Sequence, residues 1–220
     1  MLERRRWNIV VVELAHHLPY TIVSTLIAMA GIWWFASQRL NTGDSVQLFM
    51  QSRALFHLFH PLHICLSAIA TTSLFWRYER HVLRAIVVGA LGTILPCGLS
   101  DYVFPYLGGL ALGEPMELHM CIVSHPQLFF SFLVLGIVGG FWAEQLMTGS
   151  HLFSHGAHVF VSSAASLLYL ISFGFTDWMG DVRLVFPAFA IIVIAVWVPC
   201  CISDIVVPVS TAHEHHPQTT

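Results

Sequence analysis

Lysine is missing from this chain, and acidic and basic residues together make up only 10% of its 220 residues, against about 25% in an average soluble domain. All nine basic residues are arginines, so no broad basic face exists for nucleic acid, and that class of partner is set aside. There is also no Cys-x-x-Cys. The five cysteines (Cys65, Cys97, Cys121, Cys200 and Cys201) are odd in number and lie in apolar surroundings, which argues against an extracellular disulfide framework. A thiol redox enzyme pairing Cys97 with Cys200 is left with little support. The His213-Glu214-His215-His216 tail lacks the His-x-x-x-His spacing of a zinc peptidase helix, so no peptidase is read there.

Apolar residues, by contrast, are 56% of the chain, and the mean hydropathy is +0.74. Such a composition belongs to an integral membrane protein. Crossing the hydrocarbon takes about 20 mainly apolar residues per helix. Six stretches qualify: residues 18–36, 54–76, 85–104, 120–142, 151–173 and 184–207. The connections at 41–44, 77–84, 113–115, 148–150 and 177–181 have turn and loop compositions. Residues 7–17 either extend the first span or lie along the membrane interface. With the N-terminus in the cytoplasm, Arg4, Arg5, Arg6, Arg77, Arg80 and Arg84 fall inside and only Arg39, Arg53 and Arg183 outside. Both termini are therefore expected in the cytoplasm, in a membrane of the bacterial inner (plasma) type. The arginine cluster reads as a topology anchor rather than the start of a cleaved signal peptide. Trp33, Trp34, Trp76, Trp142 and Trp178 lie at span ends, as in an interfacial belt.

The segment 95–106 (LPCGLSDYVFPY) returns at 198–209 (VPCCISDIVVPV), so Pro96, Cys97, Ser100, Asp101, Val103 and Pro105 have counterparts in Pro199, Cys200, Ser203, Asp204, Val206 and Pro208. The duplication extends upstream. His60-Pro-Leu-His63 with Ser67 and Thr71 matches His155-Gly-Ala-His158 with Ser162 and Ser166. A thinner correspondence links His17 with His125, Gly31 with Gly139 and Trp34 with Trp142. Three spans per copy is an odd number, which forces the second copy to enter the membrane from the opposite side. The expected fold is thus all-α and polytopic: six transmembrane helices in an inverted repeat of two three-helix units, the third and sixth helices interrupted by proline. The first unit covers 1–112 and the second 113–209, with a His-rich cytoplasmic tail at 210–220.

Histidines three apart share a helix face, as do Cys97 and Asp101 four apart if the helix continues. The candidate metal ligands are accordingly His60, His63, Cys97 and Asp101 with their mates His155, His158, Cys200 and Asp204. Imidazole, thiolate and carboxylate are the donors of zinc and neighbouring divalent first-row metals. The two sets form either one half-site biased to each side of the membrane or a single merged site at the midplane. Each residue also has a plainer use. An intramembrane histidine can join two helices by a hydrogen bond, a cysteine can act as a small buried hydrophobe, and an aspartate after serine can cap a helix start. Glu114, Glu117 and His119 stand at the outer mouth, where they can gather cations.

The expected function is a transporter, or permease, for a divalent transition metal such as zinc, not an enzyme, coupled to protons because loading displaces them from the ligands. Alternatives are a membrane b-type haem protein with histidine axial ligands and a membrane-bound metalloenzyme with one open coordination position. Expected partners are the metal ion, the lipid bilayer and a second copy in a homodimer.

Overall fold

A computed structural model describes residues 2–40, 45–146 and 151–211, with side chains for all of these except 2–11, 13, 16, 40, 45, 144–146 and 151–155. The described chain is helical: α1 (Leu2–Leu40), α2 (Ser45–Tyr78), α3 (Val82–Gly98), α4 (Phe104–Ala111), α5 (Cys121–Ser124), α6 (Pro126–Leu146), α7 (His151–Ser172), α8 (Val182–Cys201) and α9 (Val207–Thr211). The His-rich tail from residue 212, the arginine side chains at 4–6 and the expected connections at 41–44 and 148–150 lie outside the described residues.

Among the described residues, five helical stretches are long and apolar enough to cross a membrane: His17–Arg39, Val46–Tyr78, Val82–Ala111, Pro126–Ala143 and Val182–Thr211. The chain is an integral membrane protein by this measure. The described part of the expected span at 151–173 is the apolar helix Gly156–Ser172. It is also the helix the others surround. Val159, Ala165, Leu167, Tyr169, Leu170 and Ile171 are fully buried, and so are Ser162, Ser163, Ser166 and Ser172 on the same helix. Small hydroxyl residues let neighbouring backbones come close and offer hydrogen bonds where lipid offers none. Thr25 of α1 meets Ser163 in this way, oxygen to oxygen at 3.2 Å.

The outer surface has the opposite character. Leu83, Leu91, Leu95, Val134, Leu135, Phe186 and Ile194 are exposed, the pattern of a surface solvated by lipid tails. Trp33, Trp34 and Trp142 are exposed as an interfacial belt requires, but Trp178 is buried in the core. It sits in a 3-10 turn (Asp177–Met179) tucked between α7 and α8, so its ring fills space rather than facing an interface.

Glycines set the closest approach. A Cβ at Gly136 would stand 2.5 Å from the Cys65 carbonyl oxygen, and one at Gly140 would stand 3.1 Å from that of Ile69. Gly136-x-x-x-Gly140 therefore lets α6 lie directly on the backbone of α2. Gly136→Val is expected to destabilise the protein by about 1–3 kcal/mol through overpacking. The check is the midpoint of thermal unfolding in detergent; an unchanged midpoint would show that α6 is free to move away.

The repeated Pro-Cys segments do not unwind as the prolines predict. Leu99–Val103 and Ile202–Val206 are single π-turns that carry α3 into α4 and α8 into α9 without a break. The cause lies four residues after each aspartate. The rings of Pro105 and Pro208 would collide with the carbonyls of Asp101 and Asp204 in a regular α-helix, and a π-turn absorbs the mismatch by adding one residue to the turn. Asp101 and Asp204 thus sit inside a continuous helix rather than at a helix start.

Candidate metal centre

Each π-turn is held by the other copy's helix. Ser166 on α7 donates to the Ser100 carbonyl at 3.0 Å, and Thr71 on α2 donates to the Ser203 carbonyl at 3.1 Å. Ser67 meets Ser203 at 2.6 Å, and Ser162 donates to Asp101 Oδ1 at 3.2 Å. These contacts turn both aspartates and both cysteines into the bundle, where Cys97, Asp101, Cys200 and Asp204 are buried.

Asp101 is the organising group. Its Oδ2 lies 2.8 Å from His60 Nδ1 and 2.7 Å from His63 Nδ1, while Oδ1 accepts from Ser100 Oγ at 2.6 Å as well as from Ser162. A carboxylate offers about four lone-pair positions, and here all are taken. Both imidazoles must then donate Nδ1–H to it, which leaves each Nε2 with a bare lone pair.

The two histidines diverge from that point. His63 Nε2 faces His158 Nε2 at 3.0 Å, with Cys97 Sγ and Cys200 Sγ each 3.8 Å from His63 Nε2. One ligand atom from each of His63, His158 and Cys200 lies within 4.8 Å of the others. On the far side of His158, Nδ1 stands 3.6 Å from Asp204 Oδ2, repeating at longer range the His63–Asp101 contact. His60 does not join this group. Its ring stacks on Phe56 at 5.4 Å, edge-on to Tyr102, and its Nε2 is buried without a hydrogen-bond partner. His155 lies on α7, but its side chain is outside the described residues.

Of the eight residues singled out by sequence, His63, His158 and Cys200 therefore converge on one point, and Cys97 reaches it only through the 3.8 Å approach of its Sγ to His63 Nε2. Asp101 and Asp204 stand one shell behind, each on an imidazole Nδ1. A carboxylate behind a histidine fixes the ring's tautomer and aims Nε2 forward, the usual support for a metal-bound imidazole. The contacts made by His63 Nε2 also have suitable spacing. Tetrahedral zinc with bonds of about 2.0 Å to nitrogen and about 2.3 Å to sulfur has ligand–ligand edges of about 3.3 Å (N to N) and about 3.5 Å (N to S). The observed 3.0 and 3.8 Å fall on either side of these values.

A second set of imidazoles, unnoticed as a group in the sequence, lies at the end of the bundle: His57, His119 and His125. His119 belongs to the strap between α4 and α5, which is tied to α7. Glu117 N donates to the Phe173 carbonyl at 2.7 Å, Tyr169 Oη donates to the Glu117 carbonyl at 2.9 Å, and His119 N donates to Tyr169 Oη at 3.1 Å. Gly174, at φ +134°, makes room for the strap, since a Cβ there would strike the Pro115 carbonyl. Burial and the nearby Arg53 guanidinium hold His119 below the ordinary histidine range. Burial, reinforced by the Asp101 carboxylate, pushes the Cys121 thiol up to about 12. Burial, with Asp177 adding to it, raises Glu114 above the ordinary carboxyl range. The signal for His57 was present in the sequence, since it precedes His60 by three and His63 by six; nothing in spacing alone could bring His119 or His125 to it.

No protein-family model matches the chain, and no curated protein and no solved structure matches it.

Proposed function

We propose that the chain is a membrane transporter for a divalent transition metal, zinc before others, with His63, His158, Cys97 and Cys200 as the transport site. The observation that carries this is the 3.0 Å approach of two Nε2 atoms in a fully buried centre. With Nδ1 of His63 committed to Asp101, its Nε2 lone pair points at the other ring. Two lone pairs at that distance repel unless an electrophile lies between them. In the empty protein the neutral His158 ring does this by carrying its own proton on Nε2; in the loaded one a cation joined by two thiolates does it, and that ring proton shifts to Nδ1 beside Asp204.

Several features favour transport over a fixed structural metal. Polar groups continue along one face of α2 on both sides of the centre: His57, His60, His63, Ser67 and Thr71, at steps of three, three, four and four. Fourteen residues of helix cover about 21 Å, most of the hydrocarbon thickness. The exchanged contacts support an inverted repeat of two three-helix units: Ser166 holds the first π-turn, and its mate Thr71 holds the second. A two-fold axis through the His63–His158 pair would relate each contact to its partner, and a site on such an axis suits alternating access. Haem is disfavoured, because a porphyrin between two axial nitrogens needs them farther apart and free of flanking sulfur. A hydrolytic metalloenzyme would need an open position, and Cys97, with its Sγ 3.8 Å from His63 Nε2, stands where it can take the fourth one.

The donor set also suggests the coupling. A bare thiolate is costly in an apolar interior, so the empty site holds two neutral thiols. Loading converts two S–H bonds into two metal–sulfur bonds and releases two protons for one divalent ion. The exchange is electroneutral. Apparent zinc affinity is therefore expected to rise with pH, by up to about 100-fold per unit while both thiols are protonated in the empty protein. Competition titrations between pH 6 and 8 check the slope.

The deciding experiment is zinc uptake into proteoliposomes. A proton gradient directed outward against the incoming ion should accelerate uptake, and clamping the membrane potential should change the rate by less than about twofold. Uptake indifferent to the proton gradient and to Asp101→Asn with Asp204→Asn would overturn the assignment.

A further inference from the structure

The imidazole cluster at the end of the bundle is built from three separate pieces of chain. His57 comes from α2, His119 from the strap tied to Tyr169 and His125 from the junction of α5 and α6, immediately before Pro126. The ring centroids of His57 and His125 are 4.3 Å apart, and those of His57 and His119 are 5.1 Å apart. One nitrogen from each ring lies within 4.8 Å of the other two. Ser124 Oγ stands 3.1 Å from His119 Nε2, and Cys121 Sγ stands 3.5 Å from His57 Nδ1, so two of the three rings have a polar neighbour that fixes one nitrogen. Unlike the central group, this one is reachable: His57 and His119 are half-buried and His125 is exposed.

We propose that His57, His119 and His125 form a second metal site, a three-imidazole seat for a borderline divalent cation such as zinc, cobalt or nickel. Three converging imidazoles with solvent on the fourth side match a metal that keeps a water or exchanges its last ligand. Imidazole alone selects the later first-row ions over calcium or magnesium, which require oxygen donors. The site stands on its own geometry. Its use as a loading station rests on the transport function proposed above. His57 lies six residues from His63 on one face of α2, about 9 Å along the axis. Between them is His60, whose buried Nε2 has no hydrogen-bond partner and whose ring stacks on Phe56. The ion would pass from an exposed imidazole seat to the enclosed nitrogen and sulfur seat.

Cobalt(II) separates the two sites, because thiolate ligands add an intense sulfur-to-metal charge-transfer band and imidazoles do not. The full chain in detergent is titrated with cobalt as wild type, as His119→Gln/His125→Gln and as Cys97→Ser/Cys200→Ser; differences between variants cancel ions held elsewhere. The double glutamine variant should bind one cobalt fewer per chain with the thiolate band intact. Restoring a donor with His119→Gln/His125→Asp should recover part of that binding. The cysteine variant should lose the band and keep the cobalt that depends on His119 and His125. In proteoliposomes the glutamine variant should raise the KM for cobalt about tenfold with kcat little changed, as expected when a loading step is weakened. Equal cobalt stoichiometry in the wild type and the double glutamine variant would overturn the site. A wild type without any thiolate band, yet with His119-dependent cobalt, would leave this site standing and remove the central one.

Discussion

Replacing Cys97 and Cys200 together by serine is expected to strip the central site, lowering zinc affinity by more than about 100-fold, since losing even a supporting group behind a ligand costs roughly 10–100-fold. The geometry makes the loss severe. Both sulfurs stand 3.8 Å from the same His63 nitrogen, so the substitution removes half of one donor set. Serine has nearly the shape of cysteine, and its hydroxyl does not ionise to match a thiolate as a soft ligand. Size and helicity should be kept, because the change is nearly isosteric and Cys200 already lies 3.5 Å from Ser162 Oγ, a ready hydroxyl partner. Metal analysis of protein purified without added metal checks this. Wild-type metal content in the double variant would show that the sulfurs are packing groups only.

The second large effect belongs to Asp101. Asp101→Ala leaves His60 Nδ1, His63 Nδ1, Ser100 Oγ and Ser162 Oγ without their common acceptor in a buried setting. Orphaned buried donors cost about 1–3 kcal/mol each when they find no substitute, and breaking a buried charged network by removing one member costs about 3–5 kcal/mol. A loss in that second range is expected, read as a lower midpoint of thermal unfolding in detergent. Asp101→Asn separates this stability effect from metal binding. The amide preserves volume but no longer takes N–H donors at both oxygen positions, so the His63 tautomer is released and affinity should fall by roughly 10–100-fold. Asp204→Asn should do less, since its contact with His158 is 3.6 Å against 2.7 Å for Asp101 with His63. Equal affinity for wild type and Asp101→Asn would mean that the carboxylate plays no part in aiming the ring.

Part of this centre is visible along the chain and part is not. The repeat exposes His63 with His158 and Cys97 with Cys200 because a pair of costly polar residues recurs at fixed spacing in otherwise apolar runs. Spacing does not separate His60 from His63. Three residues on a helix leave both on one face, and both do reach Asp101. Only the neighbour distinguishes them: α7 brings His158 against His63, while Phe56, Tyr102 and Phe129 enclose His60. The prolines were legible as interruptions, but whether a helix answers by unwinding or by a π-turn depends on what receives the displaced carbonyls. Here Ser166 and Thr71 on partner helices receive them.

By itself the sequence determined that this is a membrane protein, through apolar runs of span length and sparse charge, and that its polar chemistry is duplicated, through two recurring motifs. Those properties are local, because hydropathy and periodicity are summed over neighbours in the chain. Tertiary structure alone decided that α7 is enclosed by the other helices, that the two motifs meet at one point instead of two, and that a loop histidine joins one from α2 and one from the start of α6. At the central site these are contacts between residues 34 to 137 positions apart. They follow from which small residues let backbones approach and which donor finds which acceptor where no water can substitute.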